Sequence, residues 1–529
     1  MAFRLRYLAD LGGVDALWIT PWYPSPMADG GYDVADYCDI HPDFGDLEQA
    51  TALLDDAHHH GMRVPLDLVA NHTSDHHPWF RRAASDPSAP ERDWYWTRRG
   101  RGAYGELPPN NWKSVFGGSA WSKLDSAVKP PRTEWYLHLF TPAQPDLNWD
   151  NPGVAEQFDH ILRFWFDRGV DGLRIDVAHG LTKHPDLPDL AAPHNATPSR
   201  SPDEVSGAYV VNHPHWDRDD VHRIFRRWRE IADSYASSKQ GARIFVAEAW
   251  RTRKGGLPRY LRADELHTAF NFDFLKCPWD ADLLQATIET QIRSLATVGA
   301  TPTWVLSSHD LIRPVTRFGS KGSLADLMLN DEPDIDLEVG CRRARAAALL
   351  MLALPGSAFI YQGEELGLPE VFDIAPEARQ DPISSGSGVK QRGRDGCRVP
   401  LPWSGELPAL GFSNATPWLP QPAWWAQYSV DQQESDPSSM LTLYRRAIHW
   451  RRRHLTIPLT PELDWLDSAP GVLAFRRGDE FQCVVNASPV TVDLPSGSQL
   501  VMASGELPTK GIPPDTTVWL HACGPHGLR

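Results

Sequence analysis

Long apolar runs are missing from this 529-residue sequence: stretches such as Ala346–Leu354 fall well short of the roughly 18–20 residues that cross a bilayer. The opening MAFRLRYLADLGG also lacks the apolar region of a signal peptide, so no membrane association and a cytoplasmic location are expected. Cysteine is sparse. Cys38, Cys277, Cys341, Cys397, Cys483 and Cys523 are scattered without a C-x-x-C pair, which excludes a disulfide framework and a cysteine zinc site and leaves buried free thiols. Positive charge is in short supply as well: 52 Lys and Arg stand against 68 Asp and Glu, a net charge of −16, so no nucleic-acid partner is expected. There is no internal repeat, and 39 Gly and 46 Pro are spread along the chain, as in a loop-rich globular enzyme rather than a low-complexity protein.

What the chain has in excess is tryptophan, 22 residues whose flat amphipathic rings suit hydrophobic cores first and sugar faces second. It also has a recurring pattern. Short apolar runs, several ending in Asp, Glu or His, alternate with helix-like stretches: Ala16–Pro21, Arg63–Val69, Gly172–Val177, Ile244–Trp250, Leu266–Phe274, Thr303–Asp310 and Ser357–Glu364. That alternation predicts a parallel sheet with crossover helices, and polar residues at the strand ends are where a (β/α)8 barrel builds its active site. Seven strands are counted, with Ala16–Pro21 as the second of eight, so the first strand is missing from these residues.

Spacing places the remaining material. A βα unit of such a barrel takes about 30 residues, yet 109 separate Asp67 from Asp176 and 72 separate Asp176 from Glu248. The expected division is residues 1–71 and 153–455 as the two parts of the barrel, 72–152 as an irregular domain inserted after strand 3, and 456–529 as a C-terminal antiparallel β-sandwich. Its strands are read at Val472–Arg477, Phe481–Ala487, Val490–Leu494, Gln499–Ala503 and Thr516–His521. A Pro-, Asp- and His-rich loop at Lys183–Asp217 precedes a helix near Val221–Tyr235, and long loops on the catalytic face of such a barrel form lids or specificity walls. Leu441, Tyr444, Ile448 and Leu455 form a helical stripe that leaves Arg451–His454 as a solvated face. The triplet His58–His60 before Gly61 reads as a helix C-terminus rather than a metal site.

Three segments carry chemistry. In RGVDGLRIDVAH, Arg174 and Asp176 lie two apart on a strand and share a face, which reads equally as a salt bridge at a strand end or as a carboxylate kept ionised as a nucleophile requires. In FVAEAW, the apolar and aromatic neighbours of Glu248 desolvate it towards use as a general acid. In LSSHD, Asp310 adds a carboxylate able to stabilise an oxocarbenium-like transition state, with His309 beside it. His72, after LVAN, reads either as a partner for a sugar hydroxyl or as a histidine satisfied within its own loop.

With these motifs in order, the sequence resembles the α-amylase superfamily, glycoside hydrolase family 13, and within it the oligo-1,6-glucosidase and α-glucosidase group, bacterial α-glucosidases especially. The resemblance runs over nearly the whole chain through GGYDVADY (Gly30–Tyr37), DLVANHTS (Asp67–Ser74), QPDLNW (Gln144–Trp149), DGLRIDVAH (Asp171–His179), VAEAW (Val246–Trp250), SSHD (Ser307–Asp310), YQGEELG (Tyr361–Gly367) and GRDGCRVPLPW (Gly393–Trp403). It implies a retaining, exo-acting α-glucosidase that uses Asp176 as nucleophile, Glu248 as acid/base and Asp310 as transition-state stabiliser. Arg174 would orient the nucleophile. Tyr32, Asp33, His72 and His309 match positions that hold the terminal glucose, with Arg394 or Arg398 closing the pocket, and Val177 is the position the family associates with linkage preference. A small oligosaccharide is the expected partner, and the chain is expected to be a monomer or weak homo-oligomer.

The sequence departs from the family in two places. Ser308 stands where Asn is usual, and the N-terminal Q-x-Y-P-like strand and acidic loop that binds Ca²⁺ in several members are not present, so no cofactor or metal is expected. Two alternatives stay open: a transglycosylating relative of the trehalose synthase or sucrose isomerase type, and an inactive, N-terminally truncated form.

Overall fold

The computed structural model describes residues 4–124, 133–190, 213–238, 241–250, 256–329, 333–385, 392–406, 408–455, 463–506 and 511–522. Cys523 and residues 191–212 of the loop read at 183–217 lie outside them. The chain divides into two compact units, one formed by Met1–Arg6, Asp15–Ala269 and Gln380–Val389, the other by Tyr7–Val14, Phe270–Arg379 and Lys390–Arg529. No described helix is long and apolar enough to cross a membrane.

In the first unit, chain order gives strands β1 (Pro65–Val69), β2 (Thr97–Arg99), β3 (Trp121–Lys123), β4 (Glu134–Leu137), β5 (Gly172–Asp176), β6 (Ile244–Ala247) and β7 (Thr268–Ala269). Between them run helices α1 (Leu47–His59), α2 (Pro152–Asp167) and α3 (His222–Asp233). Strands β1, β5, β6 and β7 form a parallel sheet in that order. Every residue of β1 and β5 is buried, as expected of strands covered on both faces. Ala16–Pro21 adds only two parallel bridges, Ala16 to Arg63 and Ile19 to Leu66, beside β1. Pro21 has no N–H with which to continue the ladder.

The helices follow local signals. Asp46 caps α1 in a reciprocal box with Gln49, and Asn151 caps α2, with Pro152 in its first turn. The histidine triplet does close α1, and His58 Nε2 lies 2.7 Å from Asp171 Oδ2 at the start of β5. Between β1 and β5 in sequence lies a small antiparallel sheet, β2-β4-β3. Its core joins Trp96, Trp112, Trp121 and Trp135 to Val177, Leu187, Leu190 and Trp216. Tryptophan is thus used chiefly as core: Trp112, Trp149, Trp165, Trp228, Trp304, Trp425 and Trp519 are among the largest fully buried side chains.

In the second unit, β8 (Thr303–Val305) pairs in parallel with β9 (Ser357–Phe359), and Phe270 bridges to Thr303. Helices α4 (Ala281–Ala296), α5 (Pro314–Gly319), α6 (Leu337–Ala353) and α7 (Met440–His454) follow in chain order. Among the described residues the C-terminal region forms one five-stranded antiparallel sheet, not the two packed sheets of a sandwich. Strands β10 (Asp464–Trp465), β11 (Val472–Arg477), β12 (Phe481–Asn486), β13 (Ser498–Ala503) and β14 (Thr516–Ala522) stand in the order β10-β11-β12-β14-β13.

Strand alternation explains why one sheet suffices. Leu473, Phe475, Cys483, Val485 and Trp519 face a core that includes Leu349 and Met351 of α6 and Tyr444 of α7. Val472, Ala474, Val484, Val518 and Leu520 face the opposite way, against Val492, Leu494 and Ile512. The run Val490–Leu494, read as a strand, supplies only the bridge Val492–Ile512, because Val490 O is taken by Asn486 Nδ2 and Ser488 Oγ. On α7, Arg451 is likewise not part of a solvated face: its guanidinium bonds Leu352, Leu354 and Gly356 carbonyls at the C-terminus of α6.

Gly340 of α6 faces α5 so closely that an added Cβ would meet Val315 O at 1.9 Å. Helix propensity alone favours Ala over Gly by about 1 kcal/mol, whereas forcing that contact costs about 1–3 kcal/mol. Gly340→Ala is therefore expected to lower the thermal unfolding midpoint, and a raised midpoint in calorimetry would show that the contact is not limiting.

Candidate active site

Parallel register assembles the first cluster. Asp67 of β1 stands opposite Arg174 of β5, and Arg174 opposite Val246 of β6, which brings Glu248, one residue past the end of β6, alongside Asp176. The Arg174 guanidinium is shared among three carboxylates: Nη1 donates to Asp67 Oδ1 at 2.8 Å and to Asp176 Oδ1 at 2.6 Å, and Nη2 to Glu248 Oε2 at 2.6 Å. All four side chains are buried. Tyr32 Oη donates to Asp67 Oδ2 at 2.9 Å, and the rings of Trp18 and Tyr32 flank the guanidinium at 5.1 and 5.8 Å.

Electrostatics here corrects the expectation that Arg174 keeps Asp176 readily ionised. Asp176 is held well above the ordinary carboxyl range: burial raises it most, Arg174 lowers it, and Glu248 and Asp67 raise it again. Asp67 is pushed up to about 6, burial first. One cation cannot offset three buried carboxylates.

The turn that follows Asp176 is bound to the strand end carrying Glu248. Val177 has φ +46°, a left-handed conformation rare for a β-branched residue and costing of order 1–3 kcal/mol. It turns successive N–H groups towards one partner: Val177 N donates to Glu248 Oε2 at 3.2 Å and Ala178 N to Glu248 O at 2.9 Å. Trp250 N donates to His179 Nδ1 at 3.3 Å and its indole Nε1 to Glu248 Oε1 at 3.0 Å.

The other first-unit residues named from sequence are engaged within the protein. Asp33, fully buried, accepts from Ser25 Oγ and Asp29 N on Oδ1 and from Ala28 N on Oδ2, which braces its own loop. Burial raises its carboxyl. Burial lowers the His72 pKa, and the ring has Nε2 3.1 Å from Tyr32 O and Nδ1 3.1 Å from Asn71 Nδ2. Asp146 of the QPDLNW segment pairs with fully buried Lys183 at 2.7 Å, and Lys183 Nζ also donates to Asn71 Oδ1 and Gly180 O. Among the described residues no group of three or more His, Cys, Asp or Glu is placed to hold a metal ion.

The second unit holds a separate cluster. Arg394 Nη1 and Arg398 Nη2 donate to Asp310 Oδ1 at 3.0 and 3.1 Å, and Arg398 Nε to His309 O at 2.9 Å. His309 Nε2 lies 3.4 Å from Asp310 Oδ2. Ser308, the departure from Asn, accepts Asp310 N on its hydroxyl at 3.2 Å. Below it Ser307 Oγ donates to Glu364 Oε2, and Tyr444 Oη to Glu364 Oε1 at 2.7 Å. Burial pushes Glu364 up to about 7.

Sequence reading named neither Trp18, Asp67, Lys183 and Glu364 as part of these clusters nor Trp250 as a hydrogen-bond donor. The Glu-Ala-Trp spacing was a usable signal for Trp250, since residues two apart at a strand end project to one side.

The profile of the family described as "Alpha amylase, catalytic domain" matches residues 1–458. Relatives include a probable alpha-glucosidase of Rhizobium meliloti (strain 1021), 35% identical over 93% of this chain and 85% of that protein. An oligo-1,6-glucosidase of Parageobacillus thermoglucosidasius is 32% identical over 85% and 78%. Among solved structures, the alpha-glucosyl transfer enzyme XgtA aligns with a TM-score of 0.83 and 32% identity over 98% of this chain and 94% of that one. The trehalulose synthase MutB of Pseudomonas mesoacidophila MX-45 aligns at 0.79 and 27%, over 98% and 94%. The described strands, the ordered motifs and these similarities lead to one conclusion: the chain belongs to the alpha-amylase family of glycoside hydrolases, with that family's TIM-barrel catalytic domain and a C-terminal sheet domain.

Proposed function

We propose that this chain is a retaining, exo-acting α-glucosidase that releases terminal α-linked glucose from short oligosaccharides. The observation that carries the reading is the single guanidinium of Arg174 bonded to both Asp176 and Glu248 at 2.6 Å. A shared guanidinium favours the roughly 5–5.5 Å carboxyl spacing of a retaining pair over the roughly 6.5–9.5 Å that an inverting pair needs to admit water. Alpha-glucosidase and oligo-1,6-glucosidase names among the relatives support the substrate class.

In the proposed sequence Asp176 attacks C1 of the terminal glucose while Glu248 protonates the departing glycosidic oxygen. Glu248 then takes a proton from water, whose oxygen attacks C1 and frees Asp176, so the α configuration is kept. Arg174 orients both acids. Tyr32, Asp33, His72, His309, Arg394 and Arg398 are proposed to hold the glucose, and the role of stabiliser falls to Asp310 on its motif. Residues 72–152 are proposed as an inserted domain walling the site, since their tryptophan core includes Val177, the residue after the nucleophile.

A second reading follows from the similarity to XgtA and MutB, a transfer enzyme and a trehalulose synthase by name: the same intermediate passes glucose to a sugar instead of to water. Product analysis separates the two. With maltose, isomaltose or sucrose, hydrolysis is expected to release α-glucose first by NMR, and accumulation of an isomerised or longer saccharide would establish transfer. Asp176→Asn is expected to lower kcat by about 10⁴-fold or more, and a rate near wild type would remove Asp176 from its role.

The pH profile supplies a further test. The nucleophile must be ionised, so kcat/KM falls as pH drops through the Asp176 pKa. The negative charge of Asp67 raises that pKa, so Asp67→Asn is expected to move the acid limb to lower pH by about 0.5–1 unit. An unmoved limb, or one displaced upward, would contradict the charge coupling.

A further inference from the structure

Trp250 touches the proposed acid/base at two levels. Its indole, which can only donate, bonds Glu248 Oε1 at 3.0 Å, while Oε2 takes Arg174 Nη2 and Val177 N. Its backbone N–H bonds His179 Nδ1, whose ring stacks on Trp216 with centroids 4.9 Å apart. Burial pushes His179 down to about 4, which favours the neutral imidazole that accepts that bond.

On the reading of Glu248 as acid/base, we infer that Trp250 is a positioning residue for it. The indole N–H pins the Oε1 side of the carboxyl, and the backbone N–H ties the strand end to the turn after the nucleophile. A donor on a carboxylate stabilises its ionised form, so Trp250 also tunes how readily Glu248 gives up its proton. The charged and titratable groups that face Glu248 include Arg174 and Asp176 from β5, Asp67 from β1 by way of Arg174, and His179 from the turn. Trp250→Phe changes none of these charges.

Trp250→Phe keeps the ring and removes the N–H. Because catalysis needs Glu248 protonated, kcat/KM falls as pH rises through its pKa. Loss of the donor raises that pKa, and the basic limb is expected to move up by about half to one unit. A mispositioned acid slows poor leaving groups most, so kcat/KM is expected to fall about 5–20-fold on phenyl α-glucoside and about 2–3-fold on the p-nitrophenyl glucoside. Trp250→His, which can offer a ring N–H, is expected to recover part of the loss.

An unmoved basic limb with equal losses on both glucosides would make Trp250 a packing residue and overturn the inference. In the unsubstituted enzyme, where folding of the variants is not at issue, the Trp250 indole N–H resonance should titrate with the basic limb, and a pH-independent resonance would overturn it too. Glu248→Gln is the separate control: full rate on phenyl α-glucoside would end the acid/base reading and this inference together. If that control is inactive while Trp250→Phe behaves as wild type, the role of Trp250 alone fails.

Discussion

One guanidinium shared by three buried carboxylates is the constraint around which the first unit is organised. Arg174, Asp67 and Asp176 reach one another only because β1 and β5 pair in parallel with Asp67 opposite Arg174, and Glu248 joins them from the end of β6. Breaking such a cluster by removing its one cation leaves buried charge uncompensated, a loss of about 3–5 kcal/mol even for a simple pair. The surroundings are built accordingly. Tyr32, Trp250 and the Val177 N–H supply donors that Arg174 cannot, and the strained backbone of Val177 is held in place by those bonds and by its tryptophan-rich cluster.

The second unit inverts the ratio. There two guanidiniums, Arg394 and Arg398, share one carboxylate, Asp310. In the first cluster burial and the neighbouring carboxylates raise Asp176, and burial raises Asp67, whereas Asp310 meets two cations.

Much of this was legible in the sequence because it depends on strand periodicity. Arg174 and Asp176 two apart, and Glu248 at the end of the neighbouring strand, are consequences of a two-residue repeat. What was not legible depends on long-range sharing or on turn geometry. From sequence, Arg174 belonged to Asp176 alone; the structure gives it to Asp67 and Glu248 as well, which reverses the direction of the Asp176 shift. Trp250 was read only as an apolar neighbour because its donor bond requires the carboxyl to be rotated towards it. The C-terminal strands alternate as a sandwich would, yet one of the two faces is covered by helices and the other by an irregular segment, a difference no alternation pattern encodes. Arg451 showed its charge in the sequence but not the carbonyls at and just past the end of α6 that it bonds.

The way β14 docks on α6 bears on how the chain folds as it is made. Thr517 Oγ1 and Trp519 Nε1 donate to the carbonyls of Ala346 and Leu349, and Arg477 of β11 donates to Ala353 O. These bonds fasten a helix to strands up to 171 residues later in the sequence. During synthesis from the N-terminus, α6 emerges with its alanine- and leucine-rich face uncovered and stays so until β11, β12 and β14 arrive. The last strand of the sheet is therefore a late closing step for the second unit's core, and ribosome-bound chains that stop short of it leave apolar surface open to chaperones or aggregation.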